Sequence, residues 1–159
     1  MKKRQIIWLI IALTINLFIF SQSLLTGSVS SAQSGFFTTP VYNFLIKMNF
    51  SIERETVSLV VRKLAHFSEF FALGFAWFMF YKGFWQDHEL YIKTFRHGFI
   101  VALIDEIIQY FTPERGSAAL DVLIDSLGVL SFLLLAYLIT LIIGKSEKRK
   151  KALEVEIKS

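Results

Sequence analysis

The chain has 159 residues, of which 54% are hydrophobic and 16% aromatic, and its mean hydropathy is +0.53. This length allows one domain, and the apolar fraction excludes an ordinary soluble domain, whose surface needs more charge. The net charge of +4 does not indicate nucleic-acid binding, because Lys and Arg cluster at the ends of apolar runs. The chain has no cysteine, which excludes disulfides, thiolate catalysis and cysteine-based zinc sites.

The first predicted element is a membrane span that follows the basic start Met1–Arg4. The apolar run Ile6–Phe20, which can extend to Leu25, is long enough at ~1.5 Å per residue to cross a hydrocarbon core of ~30 Å. A cleaved signal peptide is the alternative, with Ser30–Ala32 as the small-residue cleavage site. The run is long for a signal peptide, whose apolar region has ~7–15 residues, so a retained span is favoured.

The next segment is polar and then amphipathic. Residues 21–40 are rich in Ser, Thr and Gly, which predicts an external loop. Residues 41–50 carry apolar side chains at helical spacing but are too few to cross a bilayer. They predict a short helix that lies in the membrane interface.

Three further spans are predicted, at Ser58–Tyr81, Phe95–Phe111 and Ala118–Ile143. A polar loop at Lys82–Arg96 and a tight turn at Thr112–Ser117 separate them. The sequence therefore predicts an all-α polytopic membrane protein. Its predicted architecture is a four-transmembrane-helix bundle with a short interfacial helix in the first external loop.

Four spans place both termini on the same side of the membrane. Basic residues cluster at the start of the chain, in the loop at 82–96 and in the tail, and such residues mark the cytoplasmic side. We therefore expect a multi-pass protein of the cell membrane with both termini in the cytoplasm. Residues 1–144 are predicted to form the four-span membrane domain, and residues 145–159 a charged cytoplasmic tail.

Ionisable residues in the outer halves of the last three spans define the candidate site. With about 100° between successive helical residues, each set forms a stripe on one side of its helix. The orientation places the three stripes at a similar depth, and ionisable groups within a membrane are usually functional. We therefore predict one ligand-binding pocket that opens to the exterior. Its predicted residues are Arg62, His66, Glu69, Asp105, Glu106, Gln109, Arg115, Asp121 and Asp125.

Two neighbours of these stripes carry predictions of their own. Lys63 is predicted to point aside and to reach the lipid headgroups. Gly128, on the same stripe as Asp121 and Asp125, is predicted to let another backbone approach closely. Acids outnumber bases in this region, so some carboxylates are protonated, or His66 is charged, or a cation binds.

Three motifs follow one another along the last three spans. They are VRKLAHFSEF at 61–70 with Leu73 and Gly74, then DEIIQYF at 105–111 with Pro113 and Arg115, then Asp121 with Gly128. In order and spacing they resemble the motifs of the VanZ-like membrane proteins, a family named for a teicoplanin-resistance accessory protein. The Ser-rich stretches at 21–23 and 28–31 also resemble a segment of that family. One residue departs from the pattern: the last motif usually has Asn where this chain has Asp125, which adds a charge.

The resemblance covers about residues 15–135 and implies an integral membrane protein of a Gram-positive type of envelope. Some members are linked to glycopeptide tolerance. The expected function is therefore to bind or act on a cell-envelope component, with tolerance to teicoplanin as a consequence. The expected partners are membrane lipids and a lipid-linked cell-wall precursor or a glycopeptide, and no nucleic acid.

Three alternatives stay open at this point. In the first, the chain is an enzyme that hydrolyses or transfers groups on a lipid-linked phosphate substrate, with His66 beside a carboxylate as general base. In the second, the chain is a purely structural helix bundle that these polar groups hold together. In the third, it binds a hard cation such as Mg²⁺, bridging a diphosphate, through His66, Glu69, Glu106, Asp121 and Asp125; a single histidine and no cysteine disfavour zinc. The favoured interpretation has no metal and no cofactor, and it assigns no catalytic residue.

Overall fold

The computed structural model describes the backbone of residues 1–116 and 119–158, and the side chains of residues 1–116 and 119–145. Over these residues the secondary structure is helical, which confirms the predicted all-α class. The helices are α1 (Lys3–Ser23), α2 (Gly27–Lys47), α3 (Arg54–Tyr81), α4 (Asp87–Phe111) and α5 (Ala119–Lys158). Helix α3 is central, because it packs against each of the other four.

Three of the described helices are long and apolar enough to span a membrane. They are α1, α3 and the part of α5 from Ala119 to Lys145. Helix α4 is not among them, since charged residues such as Arg96 and Asp105 lie within it and leave only a short uncharged stretch between them. By length and composition the structure thus identifies three spans rather than the predicted four.

The apolar core follows one side of α3. Phe70, Leu73 and Ala76 are fully buried, and their spacing of three residues keeps them on one face of the helix. Val129 and Phe132 of α5 belong to the same core. The contact between α3 and α5 therefore forms a large part of the core, to which α1 and α4 also contribute residues such as Ile19 and Val101.

Gly128 permits this close contact, as the sequence predicted. A Cβ atom at Gly128 would collide with the carbonyl oxygen of Phe67 and would lie 3.1 Å from the backbone nitrogen of Phe71. A larger residue would push α5 away from α3. Small residues have this use wherever helices pack backbone to backbone in membranes.

The Ser-rich segment forms a helix, which corrects the predicted external loop at residues 21–40. Helix α2 begins at Gly27 and continues to Lys47, with Pro40 inside it. Residues 41–47 of the predicted short helix are therefore the last part of a longer helix, and residues 48–50 lie beyond its end. Only residues 24–26 separate α1 from α2.

The Ser and Thr side chains of α2, whose helix propensity is modest, bond within the helix and to α3. Three hydroxyl groups donate to carbonyl oxygens three or four residues earlier, those of Ser34, Thr38 and Thr39. Arg62 of α3 donates to Ser31, and Arg54 donates to Thr39. These two contacts place α2 antiparallel to the start of α3. Packing against α3 therefore outweighs the low helix propensity of the Ser-rich segment.

The predicted polar loop at 82–96 is also shorter than expected, because α4 begins at Asp87. Two acids, Asp87 and Glu89, occupy its first turn, where they interact favourably with the helix dipole. Leu90 and Thr94 are buried at a spacing of four residues. The start of α4 is therefore an amphipathic helix. Its polar side chains gave this part of the sequence the composition of a loop.

The predicted turn after the third span is confirmed for its described part. Helix α4 ends at Phe111, and Glu114 adopts a positive φ of 60° in the turn. Ser117 and Ala118 lie outside the described residues. Helix α5 then continues past residue 144, so the predicted boundary between domain and tail falls within one helix.

Candidate functional site

The end of α1 meets the end of α4 in a buried hydrogen-bonded cluster. The Ser23 hydroxyl donates to one carboxylate oxygen of Asp105, and the Gln109 side-chain amide donates to the other at 2.7 Å. Gln109 also donates to the Ser23 hydroxyl at 3.3 Å. The Thr112 hydroxyl donates to the Ser23 carbonyl oxygen at 2.9 Å. These bonds hold the Asp105 carboxylate in one orientation.

Two further ionisable groups lie beside Asp105. His66 Nδ1 is 3.4 Å from Oδ1 of Asp125, which is within ion-pair distance. Ligand atoms of His66, Asp105 and Asp125 all lie within 4.8 Å of one another. Asp105 and Asp125 are 0% and 1% exposed, so this group lies inside the bundle where α3, α4 and α5 meet.

Asp121 lies one turn from Asp125 but has a different partner. Lys63 forms an ion pair with it, and both side chains are partly buried. The prediction that Lys63 points aside to the lipid headgroups is therefore wrong. The two helices α3 and α5 approach closely enough for the flexible lysine side chain to reach across to a carboxylate.

A cavity of about 460 Å³ lies between α1, α2 and α3. Its wall combines aromatic rings, hydroxyl and amide groups, and four ionisable side chains. The lining residues include Phe18, Phe36, Phe37, Ala65, Ser30, Ser34, Arg62, His66, Glu69 and Arg115. Such a mixture of apolar wall and few polar groups is typical of ligand pockets.

The two guanidinium groups of the cavity contact serine hydroxyls of α2. Arg115 donates to Ser30 at 2.5 Å, and Arg62 donates to Ser31 at 3.2 Å. Among the described residues neither arginine forms an ion pair with a carboxylate. Burial, and then the positive charge of Arg62, lowers the pKa of Arg115. The site therefore presents two neighbouring cations whose direct hydrogen-bond partners are hydroxyl groups, with the Glu69 carboxylate in the same cavity wall.

Glu114 has a structural contact rather than a place in the cavity wall. Its carboxylate accepts a hydrogen bond of 2.9 Å from the backbone N–H of Ser28, in the first turn of α2. Hydrogen bonds from the Ser28 side chain and backbone lower the pKa of Glu114. The Pro113 carbonyl accepts from the Gly27 N–H at 3.1 Å. The turn after α4 thus satisfies N–H groups that a helix start leaves without partners.

The nine predicted site residues fall into four groups in the structure. Arg62, His66, Glu69 and Arg115 line the cavity. Asp105, Gln109 and Asp125 are buried in the cluster that includes His66. Asp121 pairs with Lys63. Glu106 is 8% exposed and lines a separate recess of about 250 Å³ with Tyr110 and Val122.

Several residues of the site were not predicted as members of it. Ser23, Ser30 and Ser34 all line the cavity, together with Gln22 and Gln33. The Ser-rich segment was the available signal, but as a presumed loop it had no defined face. Once the segment is a helix, residues 30, 33, 34 and 37 fall on one side of it.

The fold and the site define an all-helical protein with apolar helices long enough for a membrane and an ionisable cluster buried between them. The chain belongs to the VanZ/LLP1 family, whose model matches residues 6–141. No curated protein and no solved structure matches it.

Proposed function

We propose that this protein is a four-span protein of the cell membrane whose cavity binds the anionic head of a lipid-linked component of the cell envelope. The observation that carries the proposal is the pair Arg62 and Arg115. Both guanidinium groups face the cavity, and their described polar partners are neutral serines. A ligand with phosphate or carboxylate groups supplies oxygens that accept from both guanidinium groups, which the one carboxylate of the lining, Glu69, does not reach as an ion pair.

Helix α4 serves as the fourth span in this proposal. At ~1.5 Å per residue its 25 residues extend over roughly 37 Å. It packs against α1, α3 and α5, and residues 98–104 are uncharged. Asp105 and Glu106 are buried against these neighbours, which is how membrane proteins accommodate ionisable side chains.

The cavity opens to the outside of the cell in this arrangement. Basic residues stand before α1, around the start of α4 and near the end of the chain, which favours the cytoplasm for that side. On the opposite side, Ser23 ends α1, Arg115 follows the end of α4, and His66 lies in the first half of α3. Both termini are therefore cytoplasmic, and the cavity lies at the depth of the outer leaflet.

The cavity wall suits an amphiphile rather than a free anion. Arginine binds phosphate and carboxylate groups with two parallel hydrogen bonds, which fixes their orientation. Phe36 and Phe37 line the same cavity and are 78% and 63% exposed. These rings provide an apolar surface for the first isoprenoid or acyl units beside the head group. A lipid-linked wall precursor carries both diphosphate and carboxylate groups on such a chain.

Tolerance to teicoplanin follows from this binding as a second step of the proposal. A precursor whose head is held in the cavity is shielded from a glycopeptide in the same leaflet. The protein needs no turnover for this effect.

An enzyme acting on the same lipid-linked phosphate is the second candidate function. One observation favours it: His66 lines the cavity while its Nδ1 lies 3.4 Å from Asp125. A histidine beside a carboxylate can act as general base towards a water molecule at the bound head group. An enzyme converts the lipid to a new product, whereas a binding protein returns it unchanged.

Binding is tested with the full chain in nanodiscs, with a polyprenyl diphosphate as probe and EDTA in the buffer. Native mass spectrometry measures the affinity of the wild type and of Arg62→Gln and Arg115→Gln. A hydrogen bond to a charged group contributes about 1.5–3 kcal/mol, so each variant is expected to bind at least about tenfold more weakly. Analysis of the recovered lipid separates binding from hydrolysis.

Arg54→Gln is the matched control, because Arg54 is an exposed arginine of α3 that contacts Thr39 away from the cavity. It is expected to bind as the wild type does. Equal losses in all three variants, or equally tight binding of an uncharged polyprenol, would show that the cavity does not recognise an anion.

The link to the antibiotic is tested in a susceptible host that expresses each variant at matched membrane levels. We expect the wild type and Arg54→Gln to reduce teicoplanin susceptibility, and Arg62→Gln and Arg115→Gln not to. Vancomycin is measured alongside. Absence of protection by the wild type would refute the tolerance step and leave the binding result to stand by itself.

A further inference from the structure

The buried group of His66, Asp105 and Asp125 has the composition of a metal site. One side chain comes from each of α3, α4 and α5, so the group links three helices. One imidazole and two carboxylates are ligands that divalent first-row metals accept. Their ligand atoms lie within 4.8 Å of one another. The group differs from the cation site expected from the sequence, because it contains Asp105 and omits Glu69, Glu106 and Asp121.

Asp125 supplies a second and independent observation. Its side chain is 1% exposed, and neither of its carboxylate oxygens has a hydrogen-bond partner among the described residues. The closest charged group is His66 Nδ1 at 3.4 Å, within ion-pair distance but without a hydrogen bond. Buried polar atoms almost always have hydrogen-bond or ionic partners, so this carboxylate is expected to bind a further group. It points to the same small volume as His66 and Asp105.

Asp105 is already held as a metal-binding carboxylate usually is. Ser23 and Gln109 each donate a hydrogen bond to one of its two oxygens. Outer hydrogen bonds of this kind orient ligands and are typical of metal sites. Each oxygen keeps a further lone pair, so Asp105 has the capacity to bind a cation without losing these bonds.

The dimensions agree with a small divalent ion. A point central to three atoms within 4.8 Å of one another is less than about 2.8 Å from each. Zinc bonds to imidazole nitrogen and carboxylate oxygen measure ~2.0–2.2 Å. Side-chain rotations that move each ligand atom by less than about 1 Å therefore complete the contacts. His66 also lines the cavity, so the group lies directly beside the space in which a ligand is proposed to bind.

We propose that His66, Asp105 and Asp125 hold one divalent first-row cation, Zn²⁺ or Mn²⁺, at the inner end of the cavity. The cation offsets two carboxylate charges that the bundle interior otherwise leaves with a single imidazole beside them. It also ties α3, α4 and α5 together. The proposal does not depend on anion binding by Arg62 and Arg115, which is measured in the presence of EDTA.

The full chain in detergent is stripped of metal with EDTA, dialysed, and titrated with ZnCl₂ or MnCl₂ over an excess of MgCl₂. Bound metal is measured by inductively coupled plasma mass spectrometry. We expect one ion per chain in the wild type, and at least tenfold weaker binding in His66→Gln and Asp125→Asn. Asp121→Asn is the matched control, since it removes a carboxylate of the same helix that pairs with Lys63. It is expected to bind metal as the wild type does.

A second measurement needs no variant and therefore does not depend on how well the variants fold. Electron spin-echo spectroscopy of the Mn²⁺-loaded wild type is expected to show coupling to one imidazole nitrogen. Failure of the wild type to bind Zn²⁺ or Mn²⁺, the absence of imidazole coupling, or equal loss of metal in Asp121→Asn would each overturn the proposal.

Discussion

His66 Nδ1 lies 3.4 Å from Oδ1 of Asp125, across the contact between α3 and α5. Because Asp125 is 1% exposed, it has no access to water that would replace this partner. The contributions of the two side chains to the free energy of unfolding are therefore expected to be coupled. Their interaction links the cavity wall to the longest helix of the bundle.

This dependence is measurable as a coupling free energy. We expect the double variant His66→Gln with Asp125→Asn to be more stable than the sum of the two single changes predicts. Polar contacts between membrane helices average about 0.6 kcal/mol, and coupled buried groups reach about 3 kcal/mol. The free energy of unfolding is measured in bicelles with EDTA present. Strict additivity would show that the two side chains do not interact.

Gly128 tests the close packing of α3 and α5. The substitution Gly128→Ala places a methyl group against the carbonyl oxygen of Phe67 and is expected to destabilise the protein by about 1–3 kcal/mol. Gly144→Ala is the control on the same helix, because a Cβ there meets no atom within 4 Å. Unfolding of both variants in mixed micelles gives the comparison. Equal stability of the two would contradict this account of the contact.

The volume of the cavity is testable by filling it. Ala65 lines the cavity, whereas Ala72 is an exposed residue of the same helix outside the lining. We expect Ala65→Trp to weaken polyprenyl diphosphate binding at least about tenfold, because an indole takes up much of the space for a ligand. Ala72→Trp should leave the affinity as it is. A loss in Ala72→Trp alone would place the ligand elsewhere on α3.

Glu114 makes the start of α2 sensitive to acid. Hydrogen bonds from Ser28 lower the pKa of Glu114 below its ordinary value of 4.5, so the folded state prefers the carboxylate more than the unfolded chain does. Its contribution is fully present above pH 4.5 and is lost as the pH falls through the lowered pKa. Hydrogen exchange at the Ser28 amide should therefore speed up at acid pH relative to the intrinsic rate.

Glu114→Gln should remove most of this pH dependence, while Glu53→Gln, a change of an exposed acid before α3, should retain it. The same relative exchange profile in wild type and Glu114→Gln would show that another group is responsible.

The predicted stripes of polar residues were informative because they depend on helical periodicity alone. Arg62, His66 and Glu69 recur at three or four residues, and so they share a face whatever the helix packs against. The same reasoning identified Gly128 as a contact point. It did not show that Lys63 reaches Asp121, since that contact depends on the rotation of α3 relative to α5.

The sequence by itself determined that the chain is helical and apolar enough for a membrane, and which faces of α3, α4 and α5 carry ionisable groups. These properties follow from composition and from the 3.6-residue period, which are local. The tertiary structure decided that the Ser-rich segment is a helix, that Arg62 and Arg115 contact its serines, and that Asp105 and Asp125 meet at His66. These relations depend on the stagger and rotation of helices distant in sequence, because contacts between helices override the weak local preferences of Ser, Thr and Gly.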